Sequence, residues 1–323
     1  MRINPKPFRT IEEQIAILNS RGVATDKSTP EVLAREGYYS VVNGYKDLYL
    51  DPAATKAAGE DVFRKGTTFQ DICRLFRFDR ALRQTFFRYF AIAEAALKSL
   101  CAYHFAEAHQ DEPEPYLNAT NYDECQRTYV DWLISDFESA LARNPRKKPQ
   151  PKAYLEHYLK NHDEVPLWVL LRYMTLGQAF KFYCYQTESM RNKIAKGFAV
   201  LYELSYGEKI NVSPRRLTQA YDHIKDFRNI CAHEERLYCA RVSPGHDISV
   251  VDALSDLQLV LPKNEAAQLT NDILDLLASI GEDMREADFS RLVTSMGAEH
   301  LPGLKERRNV PRTSLEARVA QPA

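Results

Sequence analysis

The chain reads as all-α, and three observations carry that reading. Alternation of period two, the mark of half-buried strands, is rare throughout its 323 residues. Glycine is scarce, with 12 residues, which argues against folds built on tight hairpins or dinucleotide-binding loops. From Thr68 an apolar pattern of helical spacing continues for about forty residues, with no proline between Phe69 and Glu112. A helix that long has to pack along most of its length, because propensity alone does not hold it.

The elements follow in order. Thr10 and Glu13 form a capping-box pair ahead of Ile11, Ile15 and Leu18, with a stop at Arg21-Gly22. Ser28-Thr29-Pro30 opens a short helix toward Arg35. An aromatic stretch with two glycines follows (Gly37-Tyr38-Tyr39, Gly44-Tyr45), then a loop over Asp51 to Gly66. After the long helix, Pro113 and Pro115 interrupt the pattern, and a helix is expected from Asn121 to about Ala142 with Trp132 and Phe137 on its apolar side. Residues 143–152 are basic, proline-broken and free of acids, an exposed loop containing Arg146-Lys147-Lys148. Helices are expected at Ala153–Lys160, Leu167–Tyr185 and Ser189–Leu201. Ser213-Pro214 starts another, which runs through Leu217, Tyr221, Ile224 and Phe227. Ile248 to Leu261 is ambiguous between helix and strand. Asn264 caps a helix that Gly281 ends, and from about Leu304 the chain reads as a loosely ordered tail.

Composition narrows the function classes. Hydrophobic content of 45% and charged content of 27% fit a globular protein with a real core. The net charge of −1 announces no nucleic-acid binder, so any basic surface must be local. No stretch has signal-peptide character or the length to cross a bilayer. The six cysteines (Cys73, Cys101, Cys125, Cys184, Cys231, Cys239) are scattered without a Cys-x-x-Cys pair. This disfavours a disulfide framework or a zinc knuckle and favours a reducing cytoplasm. No metal and no cofactor is expected.

One stretch stands out for chemistry, Arg228-Asn229-Ile230-Cys231-Ala232-His233, at the end of the helical run that starts near Ser213. An arginine can offset charge developing on a phosphodiester, and a histidine can move a proton near neutral pH. At about 100° per residue, Asn229, His233 and Arg236 share one polar stripe, while Ile224, Phe227 and Cys231 lie on an apolar side. Arg228 and His233 are five apart, about 140° around an ideal helix, so one straight helix does not aim them together. A bend, the reach of the arginine or a second subunit has to complete the site. Taken alone the motif is weak, since a solvated arginine beside a satisfied histidine has the same spelling.

The surrounding residues add a resemblance. Phe227 to His233 followed by Arg236-Leu237 resembles the signature of abortive-infection proteins of the AbiD/AbiF type, within the HEPN class of helical ribonucleases. Blocks in the same order strengthen it: Lys6-Pro7, Ile11 to Ile15, Gly37-Tyr38-Tyr39, Gly66 to Phe69, Phe78 to Arg83, and Pro166-Leu167-Trp168 with Leu176-Gly177. The likeness spans roughly residues 6–241. It departs at Ala93, where an arginine often precedes the glutamate, at Lys98 in place of an arginine, and at Tyr238-Cys239.

The resemblance implies a HEPN-like helical bundle with an N-terminal helical extension. Its sections would be residues 1–66 packed on the bundle, a core at 67–243, C-terminal helices at 244–303 and a tail at 304–323. It implies a homodimer that cleaves RNA without a metal, using the RNA's own 2′-hydroxyl. His233 would be general base or acid, Arg228 would stabilise the phosphorane, and Asn229 would orient the phosphate or the histidine. Glu94 would hold Arg228 or His233, or else pair with Lys98 at i+4. Arg215, Arg216 and Arg236 are candidate RNA contacts, and an antitoxin or a small regulatory RNA is a candidate partner. The competing reading is a module that binds a structured RNA or a protein without cutting.

Overall fold

The computed structural model describes residues 7–143, 153–304 and 306. Among these the architecture is all-α, with a single two-stranded antiparallel ribbon pairing β1 (Arg241–Val242) with β2 (Ile248–Ser249). Its axis is α4 (Phe69–Ala108), 40 residues long and therefore about 60 Å at 1.5 Å per residue. Thr68 caps it with Asp71 as the return partner. Seventeen of its residues are buried, among them Phe69, Phe76, Leu82, Phe86, Phe90, Leu97 and Phe105. That burial is what supports such a length, as the apolar pattern requires.

The N-terminal elements are α1 (Ile11–Ser20), α2 (Thr29–Glu36) and α3 (Pro52–Ala58). The Thr10/Glu13 capping box on α1 forms as the spacing predicts. α3 lies inside the segment expected to be loop. Asp51 accepts from the backbone N–H groups of Ala53 and Ala54 at 3.0 Å, and Pro52 occupies the first turn, which is enough to nucleate two turns. A backbone bridge from Ala24 to Thr68 ties this region to the start of α4, and another from Leu50 to Phe63 closes the segment that holds α3.

Past α4 come α5 (Arg127–Ala140), α6 (Ala153–Asn161), α7 (Leu167–Tyr173), α8 (Leu176–Cys184), α9 (Glu188–Tyr206) and α10 (Pro214–Ala232). Several expectations need correction. Short 3₁₀ turns occupy residues 119–126, so the α-helix begins at Arg127. Its core side is Val130, Leu133 and Phe137, which leaves Trp132, about 100° from Leu133, 65% exposed rather than apolar-facing. The single helix expected over Leu167–Tyr185 is two, because Met174 turns extended and Thr175 caps a new helix through Gln178. α9 continues past Leu201 to Gly207, whose left-handed backbone ends it. Arg143 pairs with Glu114, while Arg146, Lys147 and Lys148 lie outside the described residues.

The C-terminal part holds α11 (Ala253–Val260), α12 (Lys263–Asp283) and α13 (Glu286–Met296). The ambiguous stretch 248–261 is thus β2 followed by α11. Asn264 is not the cap of α12, which starts one residue earlier after Pro262, and Gly281 does not end it. Gly281 instead lets α13 approach, since a Cβ there would sit 2.9 Å from the Phe289 ring. Leu304 is buried, so the chain stays packed at least that far.

α4 packs against α7, α8, α9, α10, α11 and α12. Two tyrosines fasten it: Tyr221 of α10 donates to the Ala93 carbonyl at 2.7 Å, and Tyr89 of α4 donates to Asp272 of α12 at 2.8 Å. The N-terminal, middle and C-terminal parts contribute to one buried apolar cluster. Among the described residues no helix is long and apolar enough to cross a membrane.

Candidate functional site

α10 brings the Arg-Asn-x-x-x-His motif to the surface by its ends. Ser213 accepts from the Arg216 N–H, and Pro214 fits the first turn, as expected. Leu217, Tyr221, Ile224, Phe227 and Cys231 are buried along one face. The helix stops at Ala232. The His233 N–H donates to the Asn229 carbonyl at 2.9 Å, and the Glu235 N–H reaches back to the Ile230 carbonyl at 3.0 Å. Glu234 between them has φ +57°. This is a Schellman-type ending with a non-glycine residue in the left-handed position. It carries the chain off the helix axis and leaves His233 exposed.

The segment after the motif is held by a buried carboxylate. Asp79 of α4, fully buried, accepts from the backbone N–H groups of Leu237 at 3.1 Å and Tyr238 at 2.7 Å. It also accepts from the Tyr45 hydroxyl at 2.7 Å and pairs with Arg83 one turn along α4. Burial pushes its carboxyl above the usual carboxylate range, and these donors oppose that push. Arg83 reaches on to the Tyr45 hydroxyl and the Glu235 carbonyl. Tyr45 stacks on Tyr238 with centroids 5.9 Å apart and meets Phe76 edge-on. One buried cluster therefore ties the aromatic N-terminal stretch, α4 and the post-motif segment together.

On the surface above this cluster is a cleft of about 720 Å³ lined by His233, Tyr39, Arg80, Arg83, Arg236 and Arg241, with Glu36, Glu234 and Glu235. Arg80 forms a two-pronged pair with Glu36 at 3.0 and 2.7 Å and lies over the Phe76 ring. The Arg80 guanidinium holds the Glu36 carboxyl below its ordinary range. Arg236 binds Asp47 and the Gly44 carbonyl, each at 3.0 Å. It stands beyond the end of α10, so the helical stripe read through Asn229, His233 and Arg236 does not extend to it. Arg241 makes no ion pair among the described residues, and Tyr39 is 80% exposed at the rim. Tyr45, by contrast, is buried packing.

The other expected residues fall elsewhere. Arg228 does not line the His233 cleft. Its guanidinium lies 5.9 Å from the Phe87 ring and touches the Asn229 side chain at 3.4 Å. No hydrogen bond joins Arg228 to His233 among the described residues, which is what about 140° of helical separation demands. Glu94 takes the pairing with Lys98, at 2.6 Å, rather than one with Arg228 or His233, and Lys98 also donates to the Met174 carbonyl. Arg215 is exposed, whereas Arg216 is committed to the buried Asp256, which also binds His223. Cys231 is a buried small residue whose thiol burial pushes up to about 12. Among the described residues no group of His, Cys, Asp and Glu is placed to hold a metal ion.

Sequence reasoning singled out the motif; it gave Asp79, Arg80 and Arg83 only as part of the Phe78-to-Arg83 block, without a role, and gave none to Glu36 or Arg241. A signal was present: Asp79 and Arg83, spaced i and i+4, interrupt the apolar face of α4, and a charged pair in such a place has to be satisfied internally.

The chain belongs to the Abi-like protein family, whose model matches residues 31–239. The match takes in the aromatic N-terminal stretch, α4 and the motif through Cys239. No curated protein and no solved structure shows significant similarity to the chain.

Proposed function

We propose that this protein is an abortive-infection effector of phage defence and that it cleaves RNA. Family membership supports the first part. The observation that carries the second is His233, exposed at a helix end in a cleft with several arginines, within the Arg-Asn-x-x-x-His spelling of HEPN ribonucleases. In the reaction the RNA's 2′-oxygen attacks the adjacent phosphorus as His233 accepts its proton. A pentavalent phosphorane forms, the 5′-oxygen leaves and takes up a proton, and the products are a 2′,3′-cyclic phosphate and a 5′-hydroxyl. Cationic groups that meet the phosphorane charge lower the barrier more than they stabilise the diester. Arg228 fills that role in this reading, with Asn229 orienting it. Because Arg228 faces Phe87 and His233 faces the cleft, a homodimer that brings one chain's Arg228 to the other's His233 completes the site. An antitoxin or small regulatory RNA belongs to the same proposal.

The test is RNA cleavage by purified protein with EDTA present. Cleavage lost in His233→Ala and Arg228→Ala, and blocked by a single 2′-deoxy substitution at the cut position, is expected. Cleavage that ignores the 2′-deoxy substitution would overturn the mechanism. The separation of Arg228 from His233 within one chain favours a second reading, a module that binds RNA or a protein without cutting. Tight RNA binding unchanged in both variants, with no product, selects it.

A further inference from the structure

Near the C-terminal end of α4, about 30 Å along the helix from Arg83, two hollows lie side by side. The larger, about 580 Å³, has apolar walls that include Phe105, Ala106, Val165 and Leu167. The smaller, about 490 Å³, shares Glu114, Glu164 and Pro166 with it and has Tyr158 on its side. The shared walls make one trough, bounded by the end of α4, the turn that follows it and the segment joining α6 to α7. Tyr103 of α4 and Trp168 of α7 line the larger hollow and are 63% and 56% exposed. Two large rings left open beside an apolar cavity give a flat group from outside a surface to lie on.

The charges say which kind of group. Five carboxylates line the two hollows (Glu107, Glu112, Glu114, Asp163 and Glu164), and only Glu114 is met by an arginine, Arg143. Glu107 and Glu112 have histidines at 3.4 and 3.5 Å, and Glu112 also takes the Asn121 amide. Asp163 and Glu164 form no ion pair among the described residues, and Glu164 accepts only the Glu114 N–H, at 3.3 Å. Among the described residues no lysine or arginine lines either hollow, and Arg172 lines only the neighbouring cleft along α4. The trough is therefore locally negative, and its carboxylates repel a phosphate backbone. Ring faces attract a guanidinium, and carboxylates beside them take its N–H groups. An arginine suits this setting better than a lysine, because its charge is flat and weakly hydrated. Apolar walls and two joined hollows fit a stretch of polypeptide better than a lone small cation.

We propose that this trough docks an arginine-bearing segment of a partner protein. One arginine lies against Trp168 and Tyr103, and a second meets Asp163 and Glu164 in the smaller hollow. The site is separate from the His233 cleft, so it stands or falls independently of RNA cleavage, and binding tests it.

The chain has two tryptophans, so Trp132→Phe leaves Trp168 as the only one. Full-length protein carrying Trp132→Phe is titrated with a nine-residue peptide alternating arginine and alanine, with its glutamate–alanine counterpart, and with spermidine. The arginine peptide is expected to change Trp168 emission and the glutamate peptide not. By calorimetry, removing both rings (Trp168→Ala with Tyr103→Ala) is expected to weaken the arginine peptide about tenfold or more. Asp163→Asn with Glu164→Gln is expected to weaken it and to flatten its salt dependence. Trp168→Phe keeps a ring face and is expected to keep binding, which separates lost stacking from lost folding. Trp168 emission unchanged at saturating peptide overturns the proposal, as does affinity untouched by the paired substitutions. Spermidine that binds as tightly as the peptide also overturns it and makes the trough a site for small cations. Peptide binding that emerges only when Arg146, Lys147 and Lys148 are replaced by glutamine overturns it in favour of the chain's own basic segment.

Discussion

Asp79 accepts the backbone N–H of Tyr238 at 2.7 Å, across 159 positions of sequence. A side chain in the N-terminal third of the long helix thus sets where the chain goes after His233. The carboxylate is fully buried and has no water to fall back on, so its removal strands Arg83 and two amide groups at once.

Asp79→Ala should lower stability by about 3–5 kcal/mol, the range for breaking a buried ion pair from one side. Urea unfolding followed by circular dichroism measures it. A loss below about 1 kcal/mol would show that the post-motif segment is held by other contacts.

The Glu36–Arg80 pair gives acid sensitivity of definite sign. The folded carboxyl is held below its ordinary range by Arg80, so the unfolded chain binds the proton more readily. The stabilisation is fully present above the unfolded value near 4.3 and is lost as pH falls through the lower folded value. Wild-type Tm should therefore drop between about pH 5 and pH 3 more than that of Glu36→Gln. Parallel curves for the two proteins would sink the idea.

Gly281→Ala reverses the usual rule for helices. In an open helix interior alanine is favoured over glycine by about 1 kcal/mol. Here the added Cβ would meet Phe289 Cε2 at 2.9 Å, and that ring is itself buried. A destabilisation of about 1–3 kcal/mol is expected from overpacking. A rise in Tm would mean that α13 yields easily.

Adjacent arginines should behave differently. Arg216→Ala leaves the buried Asp256 with only His223 and should cost about 1–3 kcal/mol. Arg215→Ala removes an exposed side chain and should stay within about 0.5 kcal/mol. Thermal melts of the two variants separate them, and equal shifts would contradict the assignment.

Thiol labelling of the native protein at about pH 8 should consume the exposed Cys125 first. Cys231 and Cys184, whose thiols burial pushes up to about 12, should react only on unfolding. Mass spectrometry of the labelled peptides reads the order, and early labelling of Cys231 would show that the end of α10 opens.

The parts of this fold that were legible in the sequence are those that rest on local chemistry. The Thr10/Glu13 box, the Ser213-Pro214 start and the unbroken apolar face of α4 each need only neighbours within a turn or two. The break at Met174 was equally local, and Thr175 with Gln178 spelled it as a capping box; the apolar run on both sides hid it. Trp132 is apolar in type but not in facing, because Val130, Leu133 and Phe137 define the buried side. For the site, the five-residue gap between Arg228 and His233 already implied that they diverge. The cleft itself was not legible. Its walls come from residues 36–45, 76–83 and 230–241, and only the packing of three distant segments makes them neighbours.

That distribution has a consequence in time. On a growing chain, α4 is complete at residue 108, but the cleft needs Arg241. At ribosomal speeds of about 5–20 residues per second, the interval is on the order of ten seconds. A chain broken off within that interval carries the sequence of the long helix but lacks the finished cleft and the α11 and α12 helices that pack against α4.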